Sequence, residues 1–167
     1  AFNRNYGLDC RVARFHNIFG PQGTWTGGKE KAPAAMCRKA AESMDEIEVW
    51  GHGLQTRSFM YVDECVEACL RLMRQDDFLG PVNIGSEEMV TINELAQIAI
   101  DLSGKDIKIN NIDGQDFIDK YGFACPLGVM GRNSHNKLFK ERVGWESKAT
   151  LIEGMAKTFE WINKQVG

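Results

Sequence analysis

The chain has 167 residues, 43% of them hydrophobic, which is enough for one buried core and too few for two independent ones. Its formal net charge of −3 at pH 7 provides no overall positive field. The composition therefore predicts neither nucleic-acid binding nor attraction to an acidic membrane surface. Any anion that the protein binds must be held by a local cluster of cations.

The cysteine pattern and the lack of targeting signals favour a reduced, cytoplasmic protein. The five cysteines form no C-x-x-C pair, and no histidine lies at metal-ligand spacing from any of them, so we expect no metal site. No signal peptide or apolar run of membrane-spanning length is visible. The first residue is Ala1 rather than methionine, and the first predicted strand lacks an earlier partner, which indicates a missing upstream segment.

The first part of the chain alternates between strand and helix patterns. The segment CRVARFHNIFG alternates apolar and polar residues, which predicts a strand that runs into a glycine-rich loop. Pro33 suits a first helical turn, and PAAMCRKAAESM contains strong helix formers without a breaker. IEVWGHG predicts a short strand closed by a turn, and TRSFMYV predicts a second extended run.

The next helix is predicted to begin at Asp63, a residue type suited to the N-cap. Its predicted apolar stripe has the spacing of one buried helix face and consists of Val66, Cys69, Leu70 and Met73. Cys65 and Cys69 are interpreted as small core hydrophobes rather than reactive thiols.

Strand and helix patterns continue in the second half. PVNIGS predicts a strand, and a capping box of Thr91 and Glu94 then begins a helix that ends at Gly104. DIKINNI alternates like a further strand. This order of strands and helices indicates an α/β fold.

The last part of the chain combines a weakly patterned segment with one clear helix. Residues 113–135 have weak periodicity, which predicts a long loop, and long loops in compact domains are commonly functional. A second capping box, Thr150 with Glu153, begins a final amphipathic helix.

A cluster of basic side chains accompanies the glycine-rich loop GPQGTWTGG. It consists of Lys29, Lys31, Arg38 and Lys39, with Glu30 as the one acid among them. Because the loop leads into a helix N-terminus, backbone N–H groups and the helix dipole add to these cations and predict a local anion site. The alternative is a solvated surface patch.

Two arginines form a second candidate. Arg57 lies between a turn and an apolar strand, where a guanidinium either recognises a phosphate or hydroxyl or forms a structural ion pair. Arg132 lies in the long loop beside a glycine, where backbone can approach a ligand. No G-x-G-x-x-G follows a strand, so a complete dinucleotide site is not encoded. The histidines are too scattered for a ligand set and are expected in turns or at the surface: His16, His52 and His135.

Five segments together resemble the C-terminal half of the GDP-mannose 3,5-epimerase family: RFHNIFGPQGTW, GGKEKAPAAMCRKA, WGHGLQTRSFMYVDECVEACLRL, PVNIGSEEMVTINELA and GRNSHNKLFKERVGW. These enzymes are extended short-chain dehydrogenases/reductases that act on nucleotide sugars. The patterns R-x-x-N-x-(Y/F)-G-P and W-G-x-G-x-Q-T-R-x-F are similar to those of epimerases and dehydratases of this superfamily in general. The pattern W-x-G-G-x-E-K-A-P-A-A is particular to the 3,5-epimerases.

The resemblance implies late strands of a Rossmann sheet plus the smaller substrate-binding domain, in one unit spanning 1–167. Residues 1–20 and about 62–103 are expected to pack on the Rossmann sheet. Residues from about 24–60 and 105–167 are expected to form most of the nucleotide-sugar-binding domain. The implied partners are a GDP-sugar, the N-terminal Rossmann half of the same protein and, in a cytoplasmic homodimer, a second copy.

The resemblance also implies a reaction, a cofactor and a part in L-ascorbate biosynthesis. NAD oxidises the sugar at C4, which allows an acid and a base on opposite faces to invert C3 and C5. One of these roles falls to Lys31 and the other to a cysteine of the N-terminal half. The NAD motif and a Tyr-x-x-x-Lys pair also lie upstream in the family, so we expect this chain to be inactive alone.

The resemblance implies the following substrate-binding residues: Asn17, Glu30, Lys31, Lys39, Gln55, Thr56, Arg57 and Arg132. Among them, Asn17 also lies near the nicotinamide of NAD, and the two arginines lie at the diphosphate. The pattern differs at Met130 and Thr26, where basic residues are usual, and about 114–125 looks like an insertion. Two alternatives stay open: a related epimerase or dehydratase acting on another nucleotide sugar, and a non-catalytic nucleotide-sugar-binding fragment.

Overall fold

The computed structural model describes residues 2–167, whose helices and strands surround two hydrophobic cores. The helices are α1 (Phe2–Tyr6), α2 (Ala32–Glu42), α3 (Val62–Met73), α4 (Ile92–Ser103), α5 (Gly114–Tyr121), α6 (Lys137–Val143) and α7 (Leu151–Val166). The strands are β1 (Ala13–Phe15), β2 (Ile18–Phe19), β3 (Glu46–Trp50), β4 (Thr56–Ser58), β5 (Met60–Tyr61), β6 (Val82–Ile84), β7 (Met89–Thr91), β8 (Lys108–Ile112) and β9 (Gly131–Arg132).

The strands form short sheets that are mostly parallel. β1 pairs with β6, β2 pairs with β5 and β3 pairs with β8, each in the parallel direction. β4 lies between antiparallel β7 and parallel β9. Parallel strands joined through helices are the mark of an α/β protein, so the predicted fold class is confirmed.

The first core joins β1, β6, α3 and α6, and it shows that the predicted face of α3 is wrong. The helix instead buries three other side chains: Cys65, Ala68 and Leu72. Three residues of the predicted stripe are 52%, 41% and 66% exposed: Val66, Leu70 and Met73. Small side chains on the inward face let the helix backbone approach the strands closely, and this contact selects the buried face.

The helix ends agree with the sequence except at α3. This helix begins directly after Tyr61, so Asp63 lies in the first turn, where a carboxylate still interacts favourably with the helix dipole, and not at the predicted N-cap. Both predicted capping boxes are confirmed: Thr91 with Glu94, and Thr150 with Glu153. The predicted end of α4 at Gly104 is also confirmed, with φ at 66°.

The second core is built from α2, α4 and α7 packed against β3 and β7. In this arrangement α4 contacts α2 and α7, although the sequence-based division grouped it with α3. α6, which was assigned to the other domain, packs against β6. The division into a Rossmann part and a substrate-binding part stays a prediction for the longer protein.

The segment predicted as a long loop contains α5, so that prediction is wrong. Phe117 of α5 is fully buried and lies edge-on to Trp50 of β3, with ring centroids 5.1 Å apart. Lys120 donates a hydrogen bond of 2.5 Å to Glu48 of β3, and the Tyr121 hydroxyl also donates to this carboxylate. α5 has 8 residues, and its apolar face consists of a few aromatic rings. A helix this short repeats the helical period too few times to be recognised from sequence.

Within residues 2–167, no helix is both long and apolar enough to cross a bilayer. The same part of the chain holds no group of three or more His, Cys, Asp or Glu side chains that could bind a metal ion. All five cysteines are free thiols. Burial raises the pKa of both the Cys37 and the Cys65 thiol to about 12, so neither is a nucleophile at neutral pH.

The turn between β3 and β4 is fixed by two asparagines. Asn93 donates its backbone N–H to the carbonyl of Gly53 over 2.9 Å. The side-chain amides of Asn93 and Asn111 exchange hydrogen bonds of 3.1 and 3.0 Å, and Asn111 also donates to the carbonyl of Gly51 over 2.9 Å. The paired amides therefore set the point at which β4 begins.

We expect Gly53→Ala to destabilise the full-length protein more than Gly104→Ala. Both glycines adopt the left-handed backbone conformation, with φ at 71° and 66°. This conformation costs an L-amino acid about 1–2 kcal/mol. A Cβ at Gly53 would also lie 1.9 Å from Asn93 Oδ1, whereas nothing lies within 4 Å of one at Gly104. Thermal unfolding should show the larger fall in midpoint for Gly53→Ala. Equal falls would mean that Asn93 moves aside at no cost.

Candidate functional site

Arg57 and Arg132 lie side by side, although they are far apart in sequence. β4 and β9 pair in parallel with Arg57 in register with Arg132. Register partners on adjacent parallel strands direct their side chains to the same face. The structure therefore brings together the two arginines that the sequence analysis assigned to one anion.

The guanidinium of Arg57 is oriented by backbone carbonyls. Its Nη1 donates to the carbonyl of Thr56 and its Nη2 donates to the carbonyl of Val129, both over 2.7 Å. Across residues 2–167, neither Arg57 nor Arg132 forms an ion pair with a carboxylate, so the structural ion pair considered for Arg57 has no partner there. Two adjacent cations without an acid favour an anion between them.

His16 lies close to this arginine pair, whereas the sequence analysis set it aside as a turn or surface histidine. Burial lowers the pKa of His16, and the charges of Arg132 and Arg57 lower it further against an opposing backbone hydrogen bond with Arg132. Its Nε2 is buried without a hydrogen-bond partner. A Cβ on Gly85 would lie 2.8 Å from His16 Cβ, so β1 and β6 meet closely at this point. The imidazole is therefore a neutral member of the site.

Asn17 divides the first predicted strand into β1 and β2. Its φ of 48° is left-handed, a conformation that asparagine adopts more readily than most residues. Its Nδ2 donates to the carbonyl of Ser58 over 3.0 Å, and its own carbonyl accepts from the Met60 N–H over 3.0 Å. Among the hydrogen bonds of the described residues, none reaches the side-chain carbonyl oxygen of Asn17, which is left to accept a ligand donor.

β4 carries buried polar atoms beside the arginine pair. Gln55 is 5% exposed, and its Oε1 has no hydrogen-bond partner in the part of the chain described. The hydroxyl of Ser58, a residue with no exposed surface, is also unpaired there. Thr56 lies between them, opposite Gly131 of β9. Since buried polar groups are normally hydrogen-bonded, these atoms leave hydrogen-bonding capacity for a water or a ligand group beside the arginine pair.

The glycine loop, defined as residues 20–31, ends in Glu30 and Lys31, two predicted substrate-binding residues that differ in exposure. Glu30 turns into the loop and its side chain is 10% exposed. Lys31 is exposed at the N-cap of α2, and its ammonium forms no hydrogen bond or ion pair with residues 2–167. Gly27 and Gly28 have φ of 86° and 80° with open space around them, so the loop tip projects into solvent.

The Glu30 carboxylate is held by its surroundings. Burial raises its pKa, but backbone hydrogen bonds at Glu30 and Gly28 and the charge of Arg38 outweigh this effect and lower the pKa overall. Its Oε1 lies 3.5 Å from Arg38 Nη2, while its Oε2 is buried without a partner. At neutral pH the residue is therefore an ionised group with one free acceptor oxygen.

Lys39 is the desolvated lysine of the basic cluster. Its Nζ donates to the carbonyl of Glu48 over 2.5 Å, so its ammonium is turned toward β3. Burial lowers the pKa of Lys39, against the opposing charge of the Glu48 carboxylate. Among the cations of the basic cluster, Lys39 is thus desolvated by the fold, whereas Lys31 is exposed.

A cavity of about 460 Å³ lies beside the site and contains none of the predicted site residues. Its apolar floor includes Met60, Ile84 and Phe139, and its rim carries both Glu87 and Lys148. Charges of both signs on the rim select no ligand class. The arginine pair and the glycine loop therefore remain the better candidates.

Three comparisons connect this geometry with known proteins. A model of the NAD dependent epimerase/dehydratase family matches residues 1–85. GDP-mannose 3,5-epimerase of Arabidopsis thaliana is 51% identical over 165 residues, which are 99% of this chain and 41% of that protein. GDP-mannose 3,5-epimerase 1 of Oryza sativa subsp. indica is 50% identical, over 99% of this chain and 40% of its own length.

Solved structures agree with these relatives at the level of fold. The crystal structure of UDP-glucose 4-epimerase from Thermotoga maritima with UDP-glucose superposes with a TM-score of 0.77 at 27% identity. The match covers 99% of this chain and 50% of that one. The present chain thus spans about two fifths of the length of the curated relatives it matches.

We expect Glu30→Gln to lower the unfolding midpoint at neutral pH and not in acid. The pKa of folded Glu30 lies below its ordinary value of 4.5, so its ionised form stabilises the fold above that pH. This contribution is lost as the pH falls through the lower folded pKa. Midpoints of the parent and the variant should therefore differ at pH 7 and converge as the pH falls through the folded pKa of Glu30.

The matched control is Glu42→Gln, which removes only the 2.8 Å ion pair with Arg38 one turn away on the helix surface. Such pairs contribute little, so this variant should behave like the parent at both pH values. A Glu30→Gln difference that grows toward acid would contradict the direction of the pKa shift.

Proposed function

The chain belongs to the NAD dependent epimerase/dehydratase family, and from this premise we propose that it is the C-terminal part of a GDP-mannose 3,5-epimerase. The reaction passes through a 4-keto intermediate; inversion at C5 alone gives GDP-L-gulose, and inversion at both C3 and C5 gives GDP-L-galactose. The observation that carries the proposal is the register pair of Arg57 and Arg132, two cations without an acidic partner in the described range. Identity of 51% to a GDP-mannose 3,5-epimerase supports this choice of sugar.

The diphosphate binds between the two arginines in this proposal. The carbonyls of Thr56 and Val129 fix the Arg57 guanidinium, so little side-chain entropy is lost when phosphate oxygens replace water. Charge-assisted hydrogen bonds from planar guanidinium groups match phosphate geometry. The unpaired Oε1 of Gln55 supplies an acceptor beside them for a hydroxyl or amide of the ligand.

Asn17 is the residue of this chain that fits NAD. Its left-handed backbone lies at the break between β1 and β2, and its free side-chain carbonyl suits the N–H of a carboxamide. The chemistry that NAD supplies when bound is the reversible oxidation of the sugar at C4. We propose that the other NAD contacts come from the longer protein.

Lys31 transfers a proton at one face of the sugar ring. A ketone at C4 acidifies the C–H bonds at C3 and C5, so a base can remove a proton from one face and an acid can return one to the opposite face. The exposed ammonium of Lys31 has no partner among residues 2–167 that would hold it away from the ring. The group on the other face belongs, in this proposal, to the part of the protein outside this chain.

The N-terminal Rossmann half of the protein covers an apolar face in this proposal. The exposed large hydrophobic side chains that it would cover belong to α1, β1 and α3: Phe2, Tyr6, Phe15, Val66, Leu70 and Met73. Exposed apolar side chains of this size are candidates for an interface. We also propose that the complete enzyme is a cytoplasmic homodimer.

Replacing Lys31 in the full-length protein tests the proton-transfer role. Lys31→Ala should slow the incorporation of solvent deuterium into GDP-mannose by roughly 10²–10⁴-fold, the range for losing a general acid or base. Its affinity for GDP should stay at the parent value, because the ammonium does not contact the diphosphate. Lys29→Ala removes a neighbouring exposed ammonium and is the control. Equal losses in both variants would favour a generic basic patch.

Replacing the arginines tests the diphosphate site. A hydrogen bond to a charged group contributes about 1.5–3 kcal/mol, so Arg57→Ala and Arg132→Ala should each weaken GDP binding by roughly one to two orders of magnitude. Calorimetric titration with GDP and with GDP-mannose should give similar losses, since both ligands carry the diphosphate. Lys31→Ala serves as the control with unchanged GDP affinity. Unchanged GDP affinity in Arg132→Ala would mean that the diphosphate does not bind between the two arginines. If the parent protein binds UDP as tightly as GDP, the alternative of an epimerase or dehydratase acting on another nucleotide sugar is favoured.

A further inference from the structure

We propose that Arg38 is a positioning residue, which fixes the glycine loop and thereby sets where Lys31 lies. This inference rests on the proposed function, in which Lys31 transfers a proton. It concerns a residue of α2 that does not itself contact the substrate. Four observations about the loop and the guanidinium support it.

The tip of the glycine loop has little to hold it in place. Residues 21–30 form no backbone-to-backbone hydrogen bond within the described part of the chain. Residues 26–29 are exposed, and the two glycines among them adopt left-handed φ values with open space around each Cβ position. The position of residues 26–29 therefore depends on contacts made by the residues at the two ends of this tip, Trp25 and Glu30.

Arg38 supplies these contacts at both ends. Its Nε donates to the carbonyl of Trp25 over 3.2 Å, and its Nη2 lies 3.5 Å from Glu30 Oε1. Its Nη1 donates to Glu42 over 2.8 Å, which orients the guanidinium from the helix side. Because the guanidinium is planar and rigid, it fixes the distance between Trp25 and Glu30 and so closes the loop.

One end of the loop is also anchored by packing, and the other is not. Trp25 packs against the second core, and its ring lies edge-on to Trp161 of α7, with centroids 6.5 Å apart. The Glu30 carboxylate accepts hydrogen bonds from the backbone at Glu30 and Gly28 and pairs with the Arg38 guanidinium, and the Lys39 charge also acts on it. The Lys31 carbonyl accepts the Ala35 N–H over 3.0 Å, so the first turn of α2 holds the backbone of Lys31 on one side. Loss of Arg38 would therefore free Glu30, on the other side of Lys31, and leave Trp25 in place.

The contact with Glu30 also has room to tighten. A separation of 3.5 Å is longer than a good charge-assisted hydrogen bond, and the second oxygen of Glu30 is unpaired. A ligand that draws the loop inward would shorten this contact. Arg38 would then hold Lys31 at the ring during proton transfer, while the diphosphate stays on the separate arginine pair.

The test uses Arg38→Lys and Arg38→Gln in the full-length protein. Lysine keeps the charge and can still pair with Glu42, but a single ammonium cannot hold Trp25 and Glu30 at once. In both variants, hydrogen exchange of the Gly28 and Glu30 amides, which hydrogen-bond the Glu30 carboxylate, should accelerate roughly tenfold, because the carboxylate loses its charged partner. Solvent deuterium incorporation into GDP-mannose should fall by at least about tenfold, with GDP affinity unchanged.

Glu42→Gln is the matched control, since it removes the third partner of the guanidinium and leaves both loop contacts intact. It should behave like the parent in amide exchange and in deuterium incorporation. Unchanged amide exchange at Gly28 and Glu30 in both Arg38 variants would overturn the proposal. A parallel loss of GDP affinity, deuterium incorporation and unfolding midpoint would overturn it too, because it would assign Arg38 to the stability of the whole fold.

The failure of the proposed function would look different. If the parent protein incorporates no deuterium into GDP-mannose, the assigned reaction is wrong, while the amide-exchange result still decides whether Arg38 fixes the loop. The two readouts therefore separate the position of the loop from the identity of the substrate.

Discussion

The register of two arginines on neighbouring strands is the constraint on which the arrangement of this candidate site depends. Arg57 and Arg132 face the same way from paired strands, and no carboxylate within residues 2–167 neutralises them. Hydrogen bonds at both ends of β4 maintain this arrangement: the Asn93–Asn111 pair fixes the preceding turn, and the carbonyl of Val129 holds one guanidinium. Two adjacent positive charges destabilise the fold, and an anion bound between them would offset this repulsion.

The two halves of the site differ in rigidity. The arginines lie on strands that hydrogen bonds hold in register, whereas Lys31 follows a loop fastened by a few side-chain contacts. Ligands that bind by charge gain from a rigid site, because fewer conformations are lost on binding. In the proposed function, Lys31 must approach the sugar ring after the substrate has bound, and a loop that can change its conformation allows this movement.

The sequence predicted those features whose causes are local. Capping boxes, the helix from Pro33 and the strand pattern before Gly51 depend on neighbours along the chain, and all were found. The buried face of α3 and the existence of α5 depend on strands that are distant in sequence, so periodicity alone gave the wrong answer. The arginine pair could be proposed only through a family resemblance, since its register is a tertiary fact. His16 was missed because a single histidine carries no spacing signal.

The attachment of α5 has a consequence for how such segments are exchanged between proteins. One carboxylate, Glu48, accepts hydrogen bonds from Lys120, Tyr121 and Trp50, and the backbone carbonyl of the same residue holds Lys39. The helix is thus held by β3 side chains in addition to its own flanking residues, Asp113 at the N-cap and Phe123 against Phe117. A recipient scaffold that lacks Glu and Trp at positions 48 and 50 of that strand would not provide the hydrogen bonds to Lys120 and Tyr121 or the ring contact with Phe117. Transplanting the segment therefore means moving two stretches of chain together, and residue 48 links that graft to the basic cluster of α2.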